Sequence, residues 1–150
     1  MIIDFRMVPP ICSYMDPEVA RRELPKSYLR GYFGKYEEVE RFLDLTAEHL
    51  IQGMDAGGVD HAVLQAEWAF GDYRRQNDAV CDMVRTYPDR FVAGFLCVNP
   101  LEDEDMAQVV EREVKERGFI GVNIQPFAFR LHSNDNRLYQ VYAKCRELGI

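Results

Sequence analysis

Four apolar segments alternate with amphipathic helical patterns along the chain, and this repetition limits the possible folds more than any other feature. The segments read IIDFRMVPP, VDHAVLQAE, FVAGFLCVNP and FIGVNIQP. Each is followed, directly or after a loop, by a stretch whose apolar residues recur every three or four positions, which is the spacing of one helical face. Strands that alternate with helices predict parallel βαβ units and an α/β fold.

The ends of the predicted helices carry recognisable stop and start residues. Thr46 is placed to cap the first helix of the alternation, and Gly57 or Gly58 is placed to end it. The second helix is expected to begin at Asn77 and to be ended by Pro88. The third is expected to begin at Leu101 and to be closed by Gly118. The third helix is expected to have acidic residues in its first turn and basic residues in its last, as the helix dipole favours.

The connections between parallel strands are right-handed, so strands in the order of the sequence have all their helices on one face. The other face then needs a cover, which a (β/α)8 barrel provides by closing the sheet. The chain ends at Gly149 and Ile150, where a helix stop is followed by what resembles the start of a fifth strand. We therefore expect residues 1–150 to be the N-terminal four βα units of one TIM-barrel-type domain. A doubly wound α/β domain is the alternative.

A long segment at about 8–36 interrupts this regular pattern. It is rich in proline, glycine and tyrosine, and we expect it to be an irregular loop insertion. Loops of this length in compact domains are often functional. The alternative is an aromatic flap that covers one end of the core.

Composition narrows the class of protein. Acidic residues exceed basic ones, 25 against 18, and the formal charge of -7 argues against binding to nucleic acid. No stretch resembles a signal peptide or a membrane span, which predicts a cytoplasmic protein without membrane contact. The four cysteines form no CxxC pair, and we expect them to be small buried apolar side chains. We also expect a homo-oligomer.

Barrel active sites lie at the carboxyl ends of the strands, and the alternation of side chains predicts which residues point inward there. In the first segment Asp4 and Arg6 are expected to point one way, and Ile3, Phe5 and Met7 the other. In the fourth segment Ile120, Val122 and Ile124 are expected to face the helices. Arg6 could bind a carboxylate through its planar fork, and Glu67 is the obvious general acid or base. With Asp4 they are the predicted catalytic residues. The predicted substrate-binding residues are Asn99, Asn123, Gln125 and Trp68, with Gln65 and Gly121 beside them.

A purely structural alternative exists for the same residues. Arg6 and Glu67 could form an ion pair between neighbouring strands, while the amides satisfy polar groups inside the barrel. Ion pairs are common, and spacing alone does not separate the two interpretations.

The segments quoted above, together with MDAGGVDHAVLQA, YPDRFVAGFLCVNP, RGFIGVNIQP and LYQVYAKCRELGI, resemble the amidohydrolase-related superfamily. The branch is the one that includes aminocarboxymuconate-semialdehyde decarboxylase and related aromatic-acid decarboxylases, hydratases and hydrolases. The resemblance implies a (β/α)8 barrel with a divalent metal, zinc or manganese, that polarises the substrate or activates a water. It also implies further metal ligands on later strands, a histidine and then an aspartate.

The sequence departs from this family at its metal-binding signature, D-x-H-x-H. The matching residues are Asp4, Arg6 and Val8. Arg6 is a fixed cation that repels a divalent ion, and Val8 has no ligand atom. The family's ligand roles therefore do not pass to Arg6 or Val8, and the cofactor stays unknown. Either residues beyond position 150 hold a metal, or the site works without one.

Two functions are consistent with these features. The first is an amidohydrolase-like hydrolase or decarboxylase that acts on a small carboxylated or aromatic substrate. Without metal, Arg6 would be its anion clamp and Glu67 its proton-transfer group. The second is a catalytically inactive barrel homologue that serves as a small-acid binding or regulatory subunit, and the absence of both histidines motivates it.

Overall fold

Four parallel strands form one sheet in the order of the sequence. The computed structural model describes residues 1–26, 31, 36–67, 72–102 and 105–150. The strands are β1 (Ile3–Met7), β2 (His61–Gln65), β3 (Phe91–Cys97) and β4 (Gly121–Asn123). The helices are α1 (Pro17–Glu23), α2 (Tyr36–Leu43), α3 (Ala47–Gly57), α4 (Tyr73–Thr86), α5 (Met106–Arg117) and α6 (Tyr139–Leu148). This alternating α/β architecture is the predicted one.

The helix ends follow the local chemistry of the sequence. Thr46 caps α3 as predicted, since its hydroxyl accepts a hydrogen bond from the His49 N–H while the His49 ring accepts one from the Thr46 N–H. Gly58 ends α3 and Gly118 ends α5, each with the positive φ that a residue without a side chain adopts at low cost.

The main core lies between the sheet and one layer of helices. It contains Leu64 and Leu96 from the central strands and Phe91 from the start of β3. The helices add Met54, Val80, Met83, Met106, Val110 and Val141. Burying a side chain of this size contributes about 1.5–3 kcal/mol, so this single layer is the main source of stability.

The opposite face of the sheet is partly open. The Phe5 ring meets the Phe95 ring edge-on at 5.6 Å, and a side chain at Gly121 would collide with Phe95. Phe5 is nonetheless 59% exposed. An apolar ring this exposed on a sheet indicates a face that another layer is expected to cover.

The strand β1 does not alternate as the sequence predicted. Its pairing with β2 shifts register between Asp4 and Met7, and Phe5 lies on the open face with Phe95 while Met7 packs against the main core. An irregularity of this kind changes which side chains share a face. The expectation that Phe5 and Met7 point the same way was therefore wrong.

The segment at about 8–36 is not an irregular loop in the described part. It contains short 3-10 helices at Ile11–Ser13 and Leu24–Lys26, and α1 lies between them. Asp16 caps α1, and Pro17 occupies its first turn, where a missing N–H costs nothing. A second cluster of buried residues holds the segment against α4: Ile11, Tyr14, Met15, Ala20, Leu24, Val39 and Ala79.

Several smaller expectations also differ from the structure. Helix α4 begins at Tyr73, before the predicted start, because Asp72 caps it, and α5 begins at Met106, after the acidic run. Ile120 was expected to face the helices but precedes β4 and is half exposed, while the neighbouring Phe119 is buried. The cysteines are free, and Cys12 is exposed rather than buried. In the described part of the chain, no helix is long and apolar enough to cross a membrane.

Helix α4 approaches β3 closely at Gly94, and this contact yields a stability prediction. An added Cβ at Gly94 would lie 2.6 Å from Val80 Cγ1, so Gly94→Ala should lower the free energy of unfolding by about 1–3 kcal/mol through overpacking. Val80→Ala in the same protein should restore part of that loss. Urea denaturation measures both effects.

Gly53 provides the matched control, because a Cβ added there meets no atom within 4 Å. Gly53 lies inside α3, where alanine is favoured over glycine by roughly 0.5–1 kcal/mol, so Gly53→Ala should stabilise. Equal changes in the free energy of unfolding for Gly94→Ala and Gly53→Ala would contradict the argument that α4 packs closely on Gly94.

Candidate active site

The carboxyl ends of β1 and β2 bring together the two charged residues that the sequence singled out. Nη2 of Arg6 lies 2.7 Å from Oε1 of Glu67. The Glu67 side chain is only 11% exposed, whereas that of Arg6 is 65% exposed. The pair therefore has a buried anionic end and a cationic end that solutes can reach.

Asp4 contributes to the local geometry of β1. Its Oδ1 accepts a hydrogen bond of 2.9 Å from the Arg6 backbone N–H. This contact ties the Asp4 carboxylate to the strand next to Arg6. It is the arrangement of a residue that shapes the backbone at the strand end, and a direct catalytic role for Asp4 stays a prediction.

Among the predicted substrate-binding amides, Asn99 and Gln125 are buried and Asn123 is half-buried, and both asparagine side chains form hydrogen bonds with the backbone. Asn123 Nδ2 donates to the Ala66 carbonyl at 3.0 Å, and Asn99 Oδ1 accepts from the Leu101 N–H at 2.9 Å. Gln65 Nε2 donates to the Phe5 carbonyl at 2.8 Å. These bonds are of the kind that the structural alternative predicts for amides inside a barrel.

The two remaining predicted substrate-binding residues are Gln125 and Trp68. Gln125 is buried after β4, and its carbonyl accepts from the Ala128 N–H as a 3-10 helix begins at Pro126. Trp68 lies outside the described residues. The structure thus brings together Arg6 and Glu67, with Asn123 linked to the same strand end through Ala66.

Two residues at this end of the sheet were missed by the sequence analysis. Gln76 and Asn77, in α4, are 2% and 3% exposed. Gln76 Oε1 accepts from the Glu67 backbone N–H at 2.7 Å. Asn77 binds both backbone groups of Cys97, accepting at 2.8 Å and donating at 2.9 Å. Only the adjacent amides Gln76 and Asn77, near the start of a helix that faces the core, could have indicated them.

In the described part of the chain, two carboxyl groups with large pKa shifts lie away from this site. A hydrogen bond from the Tyr87 hydroxyl lowers the pKa of Glu48 to about 2. Hydrogen bonds from the Arg137 side chain lower the pKa of Asp135 to about 2. Both groups cap or brace helices, so these shifts report on local structure rather than on catalysis.

The described residues do not fit a divalent metal site. Arg6 stands where the first histidine of D-x-H-x-H would be, and its guanidinium is held by Glu67. Across the described ranges, no group of three or more His, Cys, Asp or Glu side chains is placed to hold a metal ion. A hard divalent cation needs several such oxygen or nitrogen ligands, so these residues alone do not supply it.

Comparison with known proteins identifies relatives of this architecture. A family profile described as Amidohydrolase matches residues 18–150. Among curated proteins, none matches the sequence.

Solved structures of similar fold include two decarboxylases and a hydratase. A 5-carboxyvanillate decarboxylase from Novosphingobium aromaticivorans, in complex with manganese and 4-hydroxy-3-methoxy-5-nitrobenzoic acid, has a TM-score of 0.71 and 23% identity over 99% of this chain and 47% of its own. A 2,6-dihydroxybenzoate decarboxylase from Rhizobium has a TM-score of 0.61 and 21% identity, over 99% and 47%. A 4-oxalomesaconate hydratase from Rhodopseudomonas palustris has a TM-score of 0.59 and 21% identity, over 100% and 50%.

These likenesses establish the type of fold. The four parallel βα units are those of a TIM-barrel-type protein, as the sequence predicted. The chain spans about half the length of each of these structures.

The poor fit of the described residues to a divalent metal ion can be tested by restoring the histidine signature. The double variant Arg6→His, Val8→His removes the cation and adds two imidazole ligands beside Asp4. It should bind zinc more tightly than the native protein, because neutral imidazole is a preferred zinc ligand. Isothermal titration with zinc measures the difference. Native protein that binds zinc as tightly as the double variant would show that Arg6 is no obstacle to the metal.

Proposed function

The chain belongs to the amidohydrolase family, and on this premise we propose that it supplies the carboxylate-binding part of an amidohydrolase-like enzyme. The enzyme would be a hydrolase or, more specifically, a carbon–carbon lyase that decarboxylates a small aromatic acid. The observation that carries the proposal is the Arg6–Glu67 pair at the carboxyl ends of β1 and β2, the edge at which barrel enzymes bind substrate.

Arg6 suits the role of anion clamp. Its guanidinium is the exposed member of the pair, and its planar fork can hold a carboxylate by two parallel hydrogen bonds. A substrate carboxylate would compete with Glu67 for this cation. The competition would bring the substrate next to the Glu67 carboxyl group, within reach of proton transfer.

Glu67 suits the role of proton-transfer group. In a decarboxylation, Glu67 would take up a proton from solvent once the substrate carboxylate has displaced it from Arg6. Its carboxyl group would then deliver that proton to the ring carbon that bears the substrate carboxylate and return to the anionic form. The bond between that carbon and the carboxylate then breaks, its electron pair returns to the ring, and carbon dioxide leaves. Asp4 would hold the backbone of Arg6, and Asn99, Asn123, Gln125 and Trp68 are the proposed lining of the substrate site.

The relatives support this class of reaction. Two of the similar structures are decarboxylases of aromatic acids and one is a hydratase. The alternative of an inactive small-acid binding subunit is not favoured by these comparisons. A cytoplasmic location, a homo-oligomeric assembly and the absence of nucleic-acid or membrane partners belong to the same proposal.

Substitutions at the pair test the site. Arg6→Gln should weaken the binding of a hydroxybenzoate by about 1.5–3 kcal/mol, or roughly ten- to hundredfold, because a charge-assisted hydrogen bond is lost. Glu67→Gln should lower kcat by roughly 10²–10⁴-fold with a smaller change in binding. Carbon dioxide release and isothermal titration measure the two effects.

Arg85→Gln is the matched control, because Arg85 is an exposed arginine in an ion pair with Asp82 on the surface of α4. Arg85→Gln should leave both the binding of the hydroxybenzoate and kcat unchanged. Activity that survives both site substitutions would refute the proposed site. Tight binding of the acid without turnover in the native protein would favour the inactive subunit instead.

We further propose that residues 1–150 form the N-terminal part of one barrel domain. The open face around Phe5 and Phe95 supports this, because a second set of strands would cover it. Residues 1–150 expressed alone should therefore self-associate or unfold without cooperativity. Sedimentation and urea denaturation measure these properties. A monomer that unfolds cooperatively would overturn the half-barrel proposal.

A further inference from the structure

The pairing between strands β2 and β3 ends near their carboxyl ends, where the two strands diverge. The last residue pair between them is Gln65 with Phe95, followed by one hydrogen bond from the Ala66 N–H to the Phe95 carbonyl. Strand β3 continues to Cys97 and remains paired with β4 as far as Asn123. Glu67 therefore lies beyond the end of the β2–β3 ladder.

Three amide side chains bind backbone groups at this divergence. Asn77 holds the N–H and the carbonyl of Cys97, and Asn123 holds the carbonyl of Ala66. Gln76 holds the N–H of Glu67. Buried backbone groups need such partners, since each one left unsatisfied costs about 1–3 kcal/mol. These hydrogen bonds stabilise the diverging ends of both strands.

Gln76 differs from the other two amides in what it fixes. Its Oε1 lies 2.7 Å from the Glu67 nitrogen, and its side chain is almost fully buried in the first turns of α4. A buried amide on a helix is held by the packing around it, so the Glu67 backbone takes a defined position relative to α4. Asn77, by contrast, fixes the end of β3.

We propose that Gln76 is a positioning residue that sets the direction of the Glu67 carboxyl group towards Arg6 and the substrate. The inference rests on the proposed function of Glu67. Gln76 acts through the backbone of Glu67, whose N–H donates to its side-chain oxygen. A misplacement of a reacting group by about 1 Å can cost roughly a hundredfold in rate, so one hydrogen bond at this point has a measurable effect.

The test is steady-state kinetics of the full-length enzyme with a hydroxybenzoate. Gln76→Met keeps the length of the side chain and removes the oxygen acceptor. It should lower kcat by about a hundredfold while KM changes by less than about threefold, because Arg6 still binds the carboxylate. Gln76→Glu, which retains an oxygen acceptor, should recover most of kcat.

Asn77→Leu is the matched control, since it removes a neighbouring buried amide whose hydrogen bonds end on Cys97. It should lower thermal stability while kcat stays within about threefold of native. Equal losses of kcat in Gln76→Met and Asn77→Leu would show that Gln76 has only a structural role, and would overturn the inference. Native kcat in Gln76→Met would do the same.

A second measurement does not depend on any variant. Hydrogen exchange of the Glu67 backbone amide in the native protein should be slow, as for a buried hydrogen-bonded group. Exchange as fast as that of an exposed loop would overturn the inference. If Arg6→Gln and Glu67→Gln abolish activity while Gln76→Met does not, only the positioning role fails. If Glu67→Gln retains activity, the proposed function itself fails.

Discussion

The close approach of α4 to β3 is the contact on which the rest of the structure depends. Gly94 has no side chain, so Val80 can pack directly against the strand. That approach brings the first turns of α4 over the carboxyl ends of β2 and β3, where Gln76 and Asn77 reach the backbone. On its outer side α4 presents Ala79 to the cluster that holds the segment after β1. One helix therefore connects the core, the strand ends and the long insertion.

The sequence predicted the regular part of this fold because its signals are local. Thr46 and Gly118 act within one turn of a helix, and the apolar spacing of α4 reflects a single buried face. The insertion was misread for a related reason. Its prolines suggested loop, yet Asp16 followed by Pro17 is also a helix start, and the buried face of α1 becomes visible only when α4 is present to cover it.

The site was predictable to a smaller extent. Strand parity and proximity were enough to bring Arg6 and Glu67 together, and the contact is present at 2.7 Å. The alternation of side chains predicted the wrong face for Phe5 relative to Met7. The register shift in β1 depends on its pairing with β2, so the residues of β1 alone do not reveal it. Gln76 and Asn77 were missed since amides in a helix usually face solvent, and only the divergence of two distant strands gives them partners.

The charge at position 6 also bears on which reaction the family scaffold supports here. A divalent ion binds a carboxylate and can in addition lower the pKa of a bound water, which hydrolysis needs. A guanidinium binds and orients a carboxylate, but it offers no open coordination position for water. Decarboxylation requires an oriented carboxylate and a proton at the carbon that loses it, and Arg6 with Glu67 can provide both. Under the proposed function, the roles of Arg6 and Glu67 therefore favour decarboxylation over hydrolysis, because neither role requires an activated water.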